Sequence, residues 1–205
     1  LEQLAMNTPN SEMKGRVELK YDRKDFSDFN NKVVFDVEFD KASIASNDLN
    51  FFYNEFGKNN IFYVDTHLVG TLNNFTTHNL KLTDKNQSEI IGTANFQNLF
   101  GKENQEFYMK GSFDRITSDY EALKIIMPRV LGKNLPSVLA KLGRVDLNGD
   151  VELTQKYINA NVYLLSKLGI VDGDLAIQNI DNIDNASYQG NIKLDNFDLG
   201  TLLSE

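Results

Sequence analysis

The sequence predicts a mainly β protein built from antiparallel strands. Polar and apolar residues alternate with a period of two through most of the 205 residues, most clearly in "VDLNGDVELT" at 145–154. Such alternation is typical of antiparallel sheet covered on one face, because strands buried on both faces read as continuous apolar runs. Short links rich in Asn, Asp and Gly separate the strands, as expected for a meander.

About ten strands are predicted from this alternation. The clearest are "VVFDVEF", "IFYVDTHLVGTL", "EFYMKGSF", "VDLNGDVELT", "INANVYLL" and "VDGDLAI", with shorter runs at "RVELKY", "NLKL", "SEIIGTANF" and "SYQGNIKL". Each strand places its apolar side chains on one face, which forms either the core of a β-sandwich or the lining of a candidate apolar groove. The residues predicted to line it are Val33, Phe35, Val37, Phe62, Val64, Leu68, Phe107, Met109, Val145, Leu147, Val151, Leu153, Val162, Leu164, Leu175 and Ile177.

Three stretches leave the strand pattern and predict helices, and each opens with an apolar residue and an Asp. They are "FDKASIASNDLNFF" from Phe39, "FDRITSDYEALKII" from Phe113 and "LDNFDLGTLL" from Leu194. In the first, Ser46 or Asn47 is a candidate N-cap and Gly57 a stop signal.

The second helical stretch carries more detailed boundary signals. Ser118 and Glu121 have the spacing of a capping box, and Pro128 predicts that the helix ends near Met127. A further short helix is predicted in "LPSVLAKLG", with Pro136 near its start and Gly143 just past its end.

The recurrence of this stretch predicts a repeated unit of four or five strands followed by a helix. Asp40, Asp114 and Asp195 lie 74 and 81 residues apart, and such a period suggests stacked units that cover one another. The predicted division is strands of a first repeat at 1–45, a short helix at 46–57, strands of a second repeat at 58–117, a helical insertion at 118–142, strands of a third repeat at 143–197 and the start of a further helix at 198–205.

Composition excludes several classes of function. The net charge is −8 and Lys and Arg are not clustered, which argues against a nucleic-acid partner. Cysteine is absent, so disulfides and thiolate chemistry are excluded. No stretch approaches the roughly 18 apolar residues of a membrane-spanning helix. The chain begins with Leu1 rather than Met, and we expect it to be a fragment of a longer protein.

No residue pattern predicts catalysis, a cofactor or a metal site. The two histidines, His67 and His78, lie in strand-like stretches without ligand-spaced partners, which favours a structural or surface role. The acidic "VDGDL" is better explained as the polar face of a strand, and "NIDNIDN" as a loop without the spacing of an EF-hand. We therefore expect a protein that is not an enzyme.

Three segments resemble the AsmA-like superfamily, and specifically TamB-like proteins of the Bacteroidota, which are inner-membrane components of the translocation and assembly module. They are "VGTLNNFTTHNLKL", "LPSVLAKLGRVDLNGDVEL" and "YQGNIKLDNFDLGTLL", which follow one another in this order and span most of the chain from residue 69 to residue 203. The resemblance implies a central fragment of a long periplasmic protein that is anchored in the inner membrane. It also implies an elongated sheet curled into an open groove.

The resemblance further implies partners and a role in building the cell envelope. The groove would hold phospholipid acyl chains in transport between membranes. An outer-membrane assembly protein would bind through regions outside this chain, linking it to outer-membrane biogenesis and protein secretion. The alternative is a self-contained binding module for an apolar ligand, either a β-sandwich or lipocalin-like. Periodicity alone favours the sandwich, whereas the repeated helix and the resemblance favour the groove.

Overall fold

The structure is a computed structural model that describes residues 4–52, 57–99, 105–126, 135–180 and 185–204. These residues form eleven strands in a single antiparallel sheet, in which every strand pairs with its neighbours in sequence. The strands are β1 Leu4–Asn7, β2 Glu12–Lys20, β3 Val34–Ala45, β4 Ile61–Thr71, β5 Asn74–Asp84, β6 Glu89–Gln97, β7 Tyr108–Asp119, β8 Arg144–Thr154, β9 Tyr157–Ser166, β10 Gly169–Gln178 and β11 Ser187–Asp195.

The predicted mainly β, antiparallel fold is confirmed. The described residues form one sheet rather than two facing sheets, so the β-sandwich alternative is wrong for this part of the chain. The outer strands β1 and β11 are not paired with each other, and the sheet does not close on itself. β1 has too few residues to show a clear alternation, which explains why it escaped the sequence prediction.

The helices lie along two opposite sides of the sheet. Because neighbouring strands are antiparallel, β3, β7 and β11 all end on one side, which we call the helical rim. We call the opposite side, where β2 ends and β3 begins, the loop rim. The helical rim carries α2 Ser46–Phe52, α3 Tyr120–Ile126, the 3₁₀ helix Ser137–Leu142 and α4 Leu199–Leu203, and the loop rim carries the 3₁₀ helix Asp25–Asp28 and α1 Phe29–Lys32.

Four strands separate the helices that follow β3, β7 and β11. Hydrogen bonds join successive helical segments along the rim. Gly57 N–H donates to the Ile125 carbonyl at 3.3 Å, and Lys141 Nζ donates to the Leu202 carbonyl at 3.2 Å. The helical rim is therefore a connected structure that runs along the side of the sheet.

The predicted capping box of Ser118 and Glu121 is wrong. β7 continues through Ser118, and the Asp119 carboxylate accepts the hydrogen bond from Ala122 N–H at 2.9 Å. Ser118 is fully buried, with its hydroxyl 2.9 Å from that of Ser88. The N-cap of α3 is therefore Asp119, one residue later than the spacing predicted.

Other predicted helix boundaries are met in part. The 3₁₀ helix Ser137–Leu142 begins directly after Pro136 and ends at Gly143, whose φ of +68° suits glycine. The candidate N-caps Ser46 and Asn47 accept hydrogen bonds from the backbone N–H groups of Asn60 and Asn59, which lie beyond α2 rather than in its first turn. The residues between α2 and Gly57 and those after α3, including Met127 and Pro128, lie outside the described residues.

Bulges in three alternate strands curve the sheet. They lie around Lys41 in β3, Asn79 in β5 and Asp114 in β7, and they shift the register of all six pairings from β2/β3 to β7/β8. Lys41 and Asn79 each have φ of +51°. A bulge bends its strand and increases the local twist, so a bulge in every second strand curls the sheet.

The bulges also correct the interpretation of the repeated stretch. Phe39-Asp40 and Phe113-Asp114 do not mark the ends of strands, since β3 continues to Ala45 and β7 to Asp119. They mark the bulges, where one extra residue resets the alternation. As a result Phe113 and Ile116, three residues apart, both point to the same face of the sheet.

Gly149 is a position where the close approach of the β9 backbone requires glycine. It lies opposite Val162 with φ of +131°, and a Cβ atom there would lie 2.2 Å from the Asn161 carbonyl oxygen. We expect Gly149→Val to lower the free energy of unfolding by about 2 kcal/mol or more, from strain and overpacking. Denaturant unfolding measures this. Gly200→Ala in α4 is the control, because its Cβ meets only an ordinary contact and alanine favours helix.

Candidate functional site

Fourteen of the sixteen predicted groove residues lie on one face of the sheet. The strand register places fourteen of them in continuous cross-strand rows, while Val33 and Phe107 directly precede β3 and β7 and are buried. We call this the apolar face. The row nearer the helical rim runs through Ala42, Val64, Leu82, Ile90, Ile116, Leu147, Leu164, Val171 and Leu194. The row nearer the loop rim runs through Leu19, Phe35, Gly70, Phe75, Phe96, Met109, Leu153, Ile158, Ile177 and Tyr188.

Between these two rows, glycines alternate with large residues across the strands. Phe113 is flanked by Gly92 and Gly149, and Val162 by Gly149 and Gly173. Each glycine leaves room for its large neighbour and allows the two backbones to approach closely. Sequence analysis missed this row, although the glycines inside otherwise regular strand patterns were the available signal.

The apolar face has a closed zone in its middle strands. Ala94, Met109, Phe113 and Leu153 are buried there together with Phe107. Because the described residues hold no second sheet, these side chains bury one another across the curved surface, helped by apolar residues that pack around them. The packed neighbours are Ile90, Phe96, Leu99, Ile116, Val151, Ile158 and Ile180.

The apolar face opens toward β11. Val162, Leu164, Leu175 and Ile177 are half-buried. On β11 itself, Tyr188, Ile192 and Leu194 are 59%, 47% and 43% exposed. The face therefore changes from a closed zone at β6–β8 to an open zone at β9–β11, where an apolar ligand can reach the side chains.

Two threonines, Thr66 and Thr77, interrupt the middle of the apolar face, and both of their hydroxyls donate to the backbone. Thr66 Oγ1 donates to the His78 carbonyl at 3.0 Å, and Thr77 Oγ1 donates to the Ala94 carbonyl at 3.2 Å. Their hydroxyls are bonded within the sheet, and both side chains are buried. Their donor hydrogens are therefore used within the sheet.

The outer face of the sheet is polar and holds the two histidines. His67 and His78 are cross-strand neighbours with ring centroids 5.8 Å apart, which the sequence analysis did not foresee. His67 Nε2 lies 2.8 Å from Asp36 Oδ1, and this hydrogen bond, with Lys20 nearby, lowers the pKa of Asp36. Among the described residues, no cluster of three or more His, Cys, Asp or Glu side chains is placed to hold a metal ion.

Asp48 on the helical rim connects α2 to the turn between β1 and β2. Its carboxylate accepts hydrogen bonds from the Ser11 and Thr8 hydroxyls at 2.5 Å each and from Asn10 Nδ2 at 3.2 Å. These bonds, with that from Ser11 the largest, lower the pKa of Asp48 below its ordinary value of 3.8.

The lowered pKa of Asp48 predicts a pH dependence of stability. A carboxylate with a depressed folded-state pKa contributes its full stabilisation above the ordinary pKa and loses it as the pH falls through the folded value. We therefore expect Asp48→Asn to reduce the loss of stability on acidification below the ordinary value of 3.8. Denaturant titrations across this range measure the slope. Asp65→Asn, at an exposed carboxylate of the outer face, serves as the matched control.

Comparisons with known proteins do not place the chain in a family. The chain matches no protein-family model, no curated protein and no solved structure. Within the described ranges, no helix is both long enough and apolar enough to cross a membrane. The geometry of the apolar face is therefore the basis for the function proposed below.

Proposed function

We propose that this chain is a non-enzymatic segment of an envelope biogenesis protein of the TamB-like kind, and that its apolar face binds phospholipid acyl chains. In this proposal the segment lies in the periplasm within a longer protein anchored to the inner membrane. The groove carries phospholipid between membranes or supports outer-membrane protein assembly, with an outer-membrane assembly protein bound elsewhere on the full protein.

The observation that carries the proposal is the continuity of the apolar face. One apolar row extends over nine strands and another over ten, and the sheet that holds them has no facing sheet within the described residues. The open zone of this face at β9–β11 exposes large apolar side chains to water, and a large exposed apolar patch usually marks a binding site. A long, narrow and continuous surface suits a chain-like apolar ligand.

The chemistry of the face favours hydrocarbon over a polar small molecule. In the interior of the face the Thr66 and Thr77 side chains are buried and donate their hydroxyls to backbone carbonyls, and the Tyr188 hydroxyl lies on the outer strand β11. A site for a polar ligand instead carries a few placed polar groups that fix its orientation. The phospholipid headgroup would remain outside the apolar face, near the polar rims.

Retention of phospholipid by the purified chain tests the proposal. Delipidated protein is mixed with radiolabelled phosphatidylethanolamine and separated from free lipid by gel filtration. We expect labelled lipid to elute with the protein and to be recovered chemically unchanged. Glycerol phosphate, which has the headgroup phosphate without acyl chains, should not compete. No retained lipid, or effective competition by glycerol phosphate, would contradict the proposal.

A further inference from the structure

The two histidines of the outer face form a cross-strand pair beside a bulge. His67 in β4 lies directly opposite His78 in β5, and their ring centroids are 5.8 Å apart. The bulge around Asn79 follows immediately and interrupts the pairing of β4 with β5. Because the chain contains only these two histidines, this is the one place where two imidazole rings of the same chain can act together.

Asp36 fixes the ring of His67 and leaves one of its nitrogens free. His67 Nε2 lies 2.8 Å from Asp36 Oδ1. An ionised carboxylate only accepts hydrogen bonds, so Nε2 carries the proton and Nδ1 of the neutral ring keeps its unshared electron pair. A histidine that binds a metal ion commonly donates its other ring N–H to a carboxylate in this way, which fixes the tautomer and raises the basicity of the binding nitrogen.

The ring of His78 is free to complete a pair of ligands. Its side chain is exposed, and its ring forms no hydrogen bond or ion pair with any residue that the structure describes. Zn–N bonds of about 2.0–2.1 Å place the centres of two ligand rings about 5 Å apart in a tetrahedral site. A small rotation of the exposed ring therefore brings the observed separation of 5.8 Å to the one that a shared ion requires.

The ion pairs around Asp36 leave this part of the outer face slightly negative. Asp36 lies 3.5 Å from Lys20 and 3.7 Å from Arg16. Lys20 also lies 3.9 Å from Glu18, and Arg16 lies 3.7 Å from Glu38, the neighbour of the histidine pair in β3. Three carboxylates thus face two cations in this network, so its net charge does not oppose the approach of a metal ion.

We propose that His67 and His78 form a binding site for one divalent transition-metal ion of the Zn²⁺ and Ni²⁺ class, with Asp36 as the positioning residue of His67. Imidazole nitrogen is a preferred ligand of these ions, whereas Mg²⁺ and Ca²⁺ prefer oxygen ligands. Water completes the coordination, so the bound ion exchanges with solvent. The ion joins β4 to β5 beside the bulge that interrupts their pairing.

Calorimetric titration of the full chain with zinc chloride and nickel chloride tests the site. At neutral pH, where imidazole is largely uncharged, we expect wild type to bind one ion, and magnesium chloride to give no binding. His67→Gln and His78→Gln should each lose saturable binding. Zn²⁺ should raise the thermal unfolding midpoint of wild type but not of these variants, since a ligand that binds only the folded state stabilises it.

Asp36→Asn separates positioning of His67 from direct binding of the ion. We expect this variant to bind one Zn²⁺ ion about tenfold more weakly than wild type, because loss of the carboxylate partner of a ligand histidine typically costs that much. The matched control is Asp65→Asn, at an exposed carboxylate two residues before His67 on the same strand. The control should leave the affinity unchanged, and the midpoint of each metal-free variant reports its own stability.

Nuclear magnetic resonance of the wild-type chain gives a second measurement that needs no variant. Because the chain has two histidines, their Cε1–H resonances can be followed individually, and both should shift as Zn²⁺ is added up to one equivalent. The proposal is overturned if wild type binds neither ion, if only one histidine responds, or if either histidine variant binds as tightly as wild type. Phospholipid retention should be the same with and without a chelator, so this site and the groove stand or fail separately.

Discussion

Leu164→Asp is expected to abolish retention of phospholipid while the sheet remains folded. Leu164 lies between Leu147 and Val171 in the row nearer the helical rim, and it is half-buried in the open zone. In the lipid-free protein water can reach a carboxylate at this position. With an acyl chain bound, the same carboxylate would face hydrocarbon, at a cost of several kcal/mol. Gel filtration with radiolabelled phosphatidylethanolamine measures the loss.

Two further variants make this expectation specific. Leu147→Asp, one strand nearer the closed zone, should also block retention and should cost more stability. Asn148→Asp adds the same charge on the outer face, opposite Tyr163, and should change neither retention nor unfolding. If Leu164→Asp unfolds the protein outright, the open zone behaves as an ordinary packed core and the account of the groove is wrong there.

Phe113→Ala is expected to cause the largest loss of stability of any single truncation on the apolar face. Phe113 is 6% exposed, belongs to the closed zone, and lies between Gly92 and Gly149. The two flanking residues are glycines and have no side chain that could move into the space left by the Phe113 ring. The cavity therefore cannot collapse easily. The expected loss is about 3–5 kcal/mol in the free energy of unfolding, measured by chemical denaturation.

Ile192→Ala is the comparison that tests the division into two zones. Ile192 occupies the same alternating row as Phe113, opposite Gly173, but it is 47% exposed on β11. Truncation there should cost about 1 kcal/mol or less. Similar losses at Phe113 and Ile192, after allowance for side-chain size, would contradict the distinction between a closed and an open zone.

The apolar face could be predicted from the sequence because alternation is a local property. Once a run such as "VDLNGDVELT" is assigned to a strand, Val145, Leu147, Val151 and Leu153 must share a face. The meander then brings the faces of successive strands together, and the observed register does so from β2 to β11. Local pattern and simple topology were sufficient for this part of the fold.

The bulges could not be predicted because they depend on both neighbouring strands. At Asp114 the alternation of β7 shifts by one residue, so "FDRIT" looks like the end of a strand in isolation. Only the pairing with β6 and β8 shows that the strand continues. For the same reason Ser118 was predicted to be the N-cap of α3. In the structure Ser118 belongs to β7 and is buried, with its hydroxyl against that of Ser88.

Contacts between distant residues were also beyond the pattern. His67 and His78 belong to different strands, and their adjacency depends on a register that the bulge in β5 shifts. In the segment between β2 and β3, Tyr21 packs on Phe26, and Phe29 packs on Phe35 of β3. Alternation is not defined in connecting segments, so sequence analysis passed over these aromatic contacts.

Photocrosslinking from neighbouring positions of β9 tests the central claim most directly. Val162 lies on the open zone of the apolar face, and Asn161 points to the outer face one residue earlier. A photoreactive amino acid at Val162 should capture radiolabelled phospholipid in the folded protein, and one at Asn161 should not. Equal capture at both positions, or capture of protein alone at Val162, would contradict an apolar face that holds acyl chains.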